Sequence, residues 1–165
     1  MTAGQYARLS APFRPPRRAR ALRAVNRGLT LACYLLYPLL LVLLLLRGEP
    51  EGLLRAVLVP GSGFVLLSLV RRGLNFPRPY EALDITPLIP KDTRGRSMPS
   101  RHVFSIFVIA MAWLWACPPV GLVLLGCGVL LAAIRVIGGV HFPADVLVGA
   151  AAALLWGWAG FWLIH

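Results

Sequence analysis

One uninterrupted, uncharged and mostly apolar stretch, from Val103 to Ile134, constrains this chain more than any other feature. As one helix it would be about 48 Å long, well beyond a bilayer core of about 30 Å. Cys117-Pro118-Pro119, followed by Gly121, is a turn signal near its middle. The stretch therefore reads as two membrane spans, about 100–117 and 119–137. Leu29–Leu46 is a further uncharged run, and Arg47-Gly48-Glu49-Pro50 after it offers no small-residue cleavage site of a signal peptide. Pro38 within it is tolerated, because membrane helices accommodate proline kinks. Another span is expected from about Gly52 to Val70, with Arg55 snorkelling to the interface and Gly61 and Gly63 allowing close helix contact. The last, about 144–164, is rich in small residues and carries Trp156, Trp158 and Trp162, which suit a membrane interface or a packed bundle.

Composition agrees with an integral membrane protein. Of 165 residues, 58% are hydrophobic and 14% charged, against about 45–50% and about 25% in soluble domains. That is too apolar for disorder and leaves no polar coat for a soluble globule. The expected fold is all-α: a helical bundle of about five transmembrane helices forming one domain over 29–165, preceded by a basic, cytoplasmic amino-terminal segment over 1–28. Cys33, Cys117 and Cys127 are too few and too scattered for a disulfide framework or a zinc site, and read as buried small hydrophobes.

The net charge of +11 is unevenly spread. Residues 1–27 hold seven Arg and no acid, and residues 71–102 hold seven basic and three acidic groups. Positive charge flanking apolar runs points to anionic lipid or phosphate rather than nucleic acid. Five crossings place the termini on opposite sides, and the segments 71–102 and 135–145 on one shared face.

Three groups of polar residues converge there. Arg71, Arg72 and Arg78 follow the second span, Ser97, Ser100, Arg101 and His102 open the third, and Arg135, His141 and Asp145 join the fourth to the fifth. Arg135 and Asp145 are the only charged side chains from Val103 onward, and ionisable groups at membrane depth usually mark function. Convergent guanidiniums match a multiply charged oxyanion such as phosphate. Pro99-Ser100 resembles a helix start that Ser100 can cap, and such a start favours phosphate. Two His suggest a nucleophile and a general acid, and Asp145, one helical turn beyond His141, can orient its ring. His102, His141 and Asp145 are also metal-type ligands, but the surrounding Arg would repel a divalent cation.

These segments resemble the type 2 phosphatidic acid phosphatase (PAP2) superfamily, whose pattern is K-x6-R-P, P-S-G-H and S-R-x5-H-x3-D. Arg71-x6-Arg78-Pro79, Pro99-Ser100-Arg101-His102 and Ile134-Arg135-x5-His141-x3-Asp145 follow it in order over about residues 50–165. The resemblance implies a PAP2/haloperoxidase-like core without metal or other cofactor. It implies that His141 becomes a phosphohistidine, that Asp145 holds its tautomer, and that His102 protonates the leaving oxygen. Arg71, Arg78, Ser100 and Arg135 would bind the phosphoryl oxygens. The chain departs from the pattern at Arg71 for Lys, which keeps the charge, at Ile134 for Ser, which removes a hydroxyl, and at Arg101 for Gly. Either the backbone at Arg101 is ordinary helix or the site is reshaped. Arg101 is expected to help bind the substrate, offsetting the missing hydroxyl.

The expected activity is hydrolysis of a lipid phosphomonoester or diphosphate: phosphatidic acid, phosphatidylglycerol phosphate or a polyprenyl phosphate. A bacterial cell-membrane location is implied. The alternative is a non-catalytic membrane protein whose Arg cluster binds anionic lipid or a partner. Arg and Lys in short loops stay on the cytoplasmic side, and the seven amino-terminal Arg therefore predict that the site faces the cytoplasm.

Overall fold

The computed structural model describes residues 1–163, all-helical or irregular throughout. The helices are α1 (Ala3–Ser10), α2 (Pro16–Leu46), α3 (Pro50–Leu74), α4 (Pro79–Ala82), α5 (Arg101–Ala116), α6 (Pro118–Ile137) and α7 (Pro143–Trp158). A 3-10 turn (Ala11–Phe13) links α1 to α2, and a π-turn (Ala159–Leu163) extends α7. The expected end of the last span, at residue 164, lies outside the described residues. Five of the helices start on proline, whose fixed φ and missing N–H suit the first helical turn.

Among the described residues four helices, α2, α3, α6 and α7 with its π-turn, are long and apolar enough to cross a membrane. The fifth expected span is α5. It has 16 residues, about 24 Å at 1.5 Å per residue, and is the centre of the bundle. Its buried residues, Val103, Phe104 and Ile106 through Trp113, surround its axis, as in a helix enclosed on all sides. The other four helices pack around it, and their outer faces carry exposed apolar side chains such as Leu35, Val65, Val123 and Leu155. Such a surface is at home in lipid.

Local chemistry fixes the packing. The turn expected at Cys117-Pro118-Pro119 is a single extended residue, Cys117, between α5 and α6. Gly121 lets the two helices close on each other, since a Cβ there would strike the Leu114 backbone. Of the two glycines expected at a helix contact, Gly63 packs under Trp156 and Phe104, whereas Gly61 has open space. Trp113 and Trp156 are bundle residues, their indole N–H groups donating to Leu36 O (3.1 Å) and Val59 O (2.9 Å). All three cysteines are free thiols; Cys33 is buried and the other two are half-buried.

The helix expected from residue 29 begins well before it, at Pro16, because the Arg-, Ala- and Leu-rich stretch between them has high helix propensity. Residues 1–28 fold onto the end of the bundle that carries the polar loops. Tyr6 is fully buried, and its hydroxyl donates to Thr86 O (3.2 Å). Its ring lies against Gly139, whose φ of 73° and crowded Cβ position both favour glycine. Arg23 donates to Leu88 O (3.3 Å).

Candidate active site

The two polar segments expected on one face meet there. Ile89 N donates to Gly138 O (3.2 Å), and Arg78 Nη1 donates to Val140 O (3.1 Å), next to His141. The starts of α5 and α7 are pinned together by Ser100 N donating to Asp145 O (2.8 Å). Gly149 permits this approach, because a Cβ there would come within 2.7 Å of Ser100 O.

His141 and Asp145 form the centre. Both are almost fully buried, and His141 Nδ1 lies 3.4 Å from Asp145 Oδ2. The same oxygen accepts from Phe142 N (2.9 Å) and from the Ser97 hydroxyl. Ser97 Oγ also lies 3.5 Å from His141 Nδ1. The carboxylate is thus held from three directions, and Nδ1 is turned towards it, leaving Nε2 as the nitrogen available for chemistry. Burial, followed by the charges of Arg135 and Arg78, pushes the His141 pKa down against the opposing hydrogen bond from Asp145. Burial among these cations thus favours the neutral imidazole.

The motif arginines differ in what they hold. Arg71 Nη1 donates to Ser97 O (3.2 Å) and Pro99 O, and its Nη2 donates to Arg96 O. Arg78 Nε donates to Gly95 O (3.1 Å) in addition to the Val140 bond. These two side chains clamp the 95–99 loop. Arg135 is 2% exposed, and only its Nη1 has a protein partner, Asn26 Oδ1 on α2 at 3.4 Å. Its Nε and Nη2, with Ser100 Oγ, are the buried side-chain atoms without a hydrogen-bond partner among the described residues. Buried polar groups are normally paired, so these three orphaned atoms are suited to hold an oxyanion. Ser100 stands at the N-cap of α5, but its hydroxyl makes no capping bond.

His102 follows one residue into α5, within electrostatic range of Arg135, Lys91 and His141. Arg101 has ordinary helical placement at the first residue of α5, with no positive φ. Its side chain is exposed, and its guanidinium lies 5.4 Å from the centroid of the Phe64 ring on α3. Ile134, where the motif has Ser, is buried in an apolar cluster with Leu22, Ile89 and Val140.

Three contributions were not expected from sequence. One is that of Ser97, which stands in a converging segment without an assigned role, and whose bond to Asp145 no motif foretells. Asn26 is another, reaching Arg135 from 109 positions away. The third is Lys91, half-buried, with its pKa pushed down to about 8 by burial and then by Arg135, Arg78, Arg101 and Arg71. Its one sequence signal is being the sole lysine in a chain with 17 basic residues. Among the described residues no three His, Cys, Asp or Glu side chains cluster as a metal site would require.

The arrangement combines a held imidazole, a second imidazole and a pocket of cations, which suits phosphoryl transfer. Comparison with known proteins agrees. The family model of the PAP2 superfamily matches residues 52–165. LpxE of Aquifex aeolicus superposes with a TM-score of 0.75 at 26% identity, over 96% of this chain and 93% of that one. A transmembrane PAP2-type phosphatidylglycerolphosphate phosphatase from Bacillus subtilis superposes with a TM-score of 0.59 at 23% identity, over 94% and 90%. No curated protein sequence matches the chain. Motifs, fold and family model converge, and the chain belongs to the PAP2 superfamily as an integral membrane protein.

Proposed function

We propose that the protein hydrolyses a phosphorylated lipid at the membrane surface through a phosphohistidine on His141. The observation that carries this reading is the buried His141–Asp145 pair beside the unpartnered donors of Arg135 and Ser100. In the first step His141 Nε2 attacks phosphorus and a P–N bond forms. The P–O bond to the lipid breaks, and His102 gives its proton to the leaving oxygen. In the second step water attacks, His102 takes a proton from it, the P–N bond breaks, and inorganic phosphate leaves. Arg135 and Ser100 stabilise the equatorial oxygens, and Lys91 adds positive charge beside them. Arg71 and Arg78 contribute charge while holding the 95–99 loop. No step requires a metal.

A lipid substrate fits a site at the end of a membrane bundle, where the chain stays in the bilayer while the headgroup enters. The experiment is phosphate release by purified protein with EDTA present, from phosphatidic acid, phosphatidylglycerol phosphate and polyprenyl mono- and diphosphates. Release from at least one lipid is expected. Release from none, or only after adding a divalent cation, overturns the reading.

We further propose that the site faces the cytoplasmic side. Supporting this, the Arg-rich segment 1–28 packs against the same face, through Tyr6 on Gly139 and Arg23 on Leu88. Single cysteines at Gln5 and Ala82, in a background lacking Cys33, Cys117 and Cys127, should resist an impermeant maleimide in intact cells. Labelling of both before lysis would place the site outside.

A further inference from the structure

A cavity of about 460 Å³ lies between α2, α3 and α5, with Leu131 of α6 also in its wall. Cys33, Tyr37, Phe64 and Val108 are among its largely apolar walls, and Arg101 and His102 form its polar end. Arg101 differs from the other site cations. Arg71, Arg78 and Arg135 are buried, whereas Arg101 is exposed and rests on the Phe64 ring. The only ion pair among the described residues is His141–Asp145, so no carboxylate neutralises Arg101. A cation beside apolar walls with only a ring face for a partner is well placed to pair with an anion brought by the substrate.

We propose that Arg101 is a specificity-determining residue that recognises a second phosphate in the leaving group, making a lipid diphosphate the preferred substrate. The inference rests on the lipid-phosphatase reading above. In that reading the transferred phosphoryl group lies between His141 and His102, so the leaving group emerges on the His102 side. His102 borders the apolar cavity, and Arg101 is its neighbour at the same end.

The leaving group's charge then decides whether Arg101 contributes. From a lipid monophosphate, the leaving oxygen takes the proton of His102 and departs as a neutral alcohol. From a lipid diphosphate, the terminal phosphoryl group passes to His141 Nε2 as its P–O bond to the bridging oxygen breaks. That oxygen takes the proton of His102, and the lipid departs as an anionic monophosphate. A guanidinium beside this phosphate stabilises charge that builds up as the bond breaks. The glycine of the family pattern has no side chain with which to do this.

The test compares kcat/KM for a polyprenyl diphosphate with that for the monophosphate of the same chain length. It uses the full chain in lipid nanodiscs, as wild type, Arg101→Lys, Arg101→Gly and Arg101→Glu. The wild type should prefer the diphosphate, and Arg101→Lys should keep most of that preference. In Arg101→Gly the ratio should fall by about tenfold to a hundredfold, and in Arg101→Glu further still. Thermal melting of each variant checks folding, and the Glu variant, read against the Lys variant, carries the test if the Gly variant unfolds. A ratio that does not follow side-chain charge, or a wild type that prefers the monophosphate, overturns the assignment of Arg101 while leaving the phosphatase standing. Release of phosphate from neither lipid, nor from phosphatidic acid, overturns the phosphatase reading itself.

Discussion

The two flanks of α5 are built for different tasks. Around the starts of α5 and α7 the polar side chains are buried and tied down: Asp145 Oδ2 has three partners, and Arg71 and Arg78 are bonded to loop carbonyls. Towards α2 and α3 lies an apolar cavity, where one exposed cation rests on an aromatic face. In the proposed reaction the first region holds the reacting groups in a narrow geometry and the second leaves room for substrates to differ. Substitutions in the two regions should then have different signatures.

The largest of the graded effects belongs to Arg135. Arg135→Ala removes two unpartnered donors, and kcat should fall by about 10²–10³ on every lipid tested, monophosphate and diphosphate alike. A loss confined to one substrate class would make Arg135 a selectivity residue instead. Ser97→Ala comes next. Without its hydroxyl, Asp145 keeps the His141 and Phe142 contacts but is held less firmly, and kcat should drop by about 10–100-fold with little change in KM. A KM effect of that size without a kcat effect would make Ser97 a substrate contact.

The smallest effect is one of pH. Lys91, pushed down to about 8, is charged below that pH and neutral above it. KM for any phosphorylated lipid should therefore rise severalfold as pH passes through about 8. Lys91→Arg keeps its charge at higher pH, so the rise should move to more alkaline values. Identical KM profiles for wild type and Lys91→Arg would remove Lys91 from the phosphate site.

Much of the rigid flank was legible in the sequence, because its reacting groups lie in three contiguous stretches at helix ends. His102, His141 and Asp145 stand at the spacings of the family pattern, and the two spans between their loops, α5 and α6, return the second loop to the face of the first. Its supporting contacts were not legible. Asn26 reaches Arg135 only because α2 starts at Pro16, and an Arg-rich stretch suits a helix as well as a linker. The bonds from Arg71 to three loop carbonyls depend on how the 95–99 loop folds back, which no local pattern encodes. Arg101 was visible as a departure from the motif, but its direction was not. A helical residue points away from the backbone positions of its neighbours, so lying between Ser100 and His102 did not place its side chain with theirs.

In the proposed reaction His141 carries the phosphoryl group, and that P–N bond can be trapped. Protein mixed with a lipid substrate labelled in the terminal phosphate, then quenched in alkali within milliseconds, should retain label as acid-labile, base-stable phosphohistidine. The label should map to His141, be abolished in His141→Ala together with all turnover, and persist longer in His102→Ala, where hydrolysis of the P–N bond lacks its base. Turnover by His141→Ala, or rapid wild-type turnover with no label on His141 at any quench time, would contradict the account.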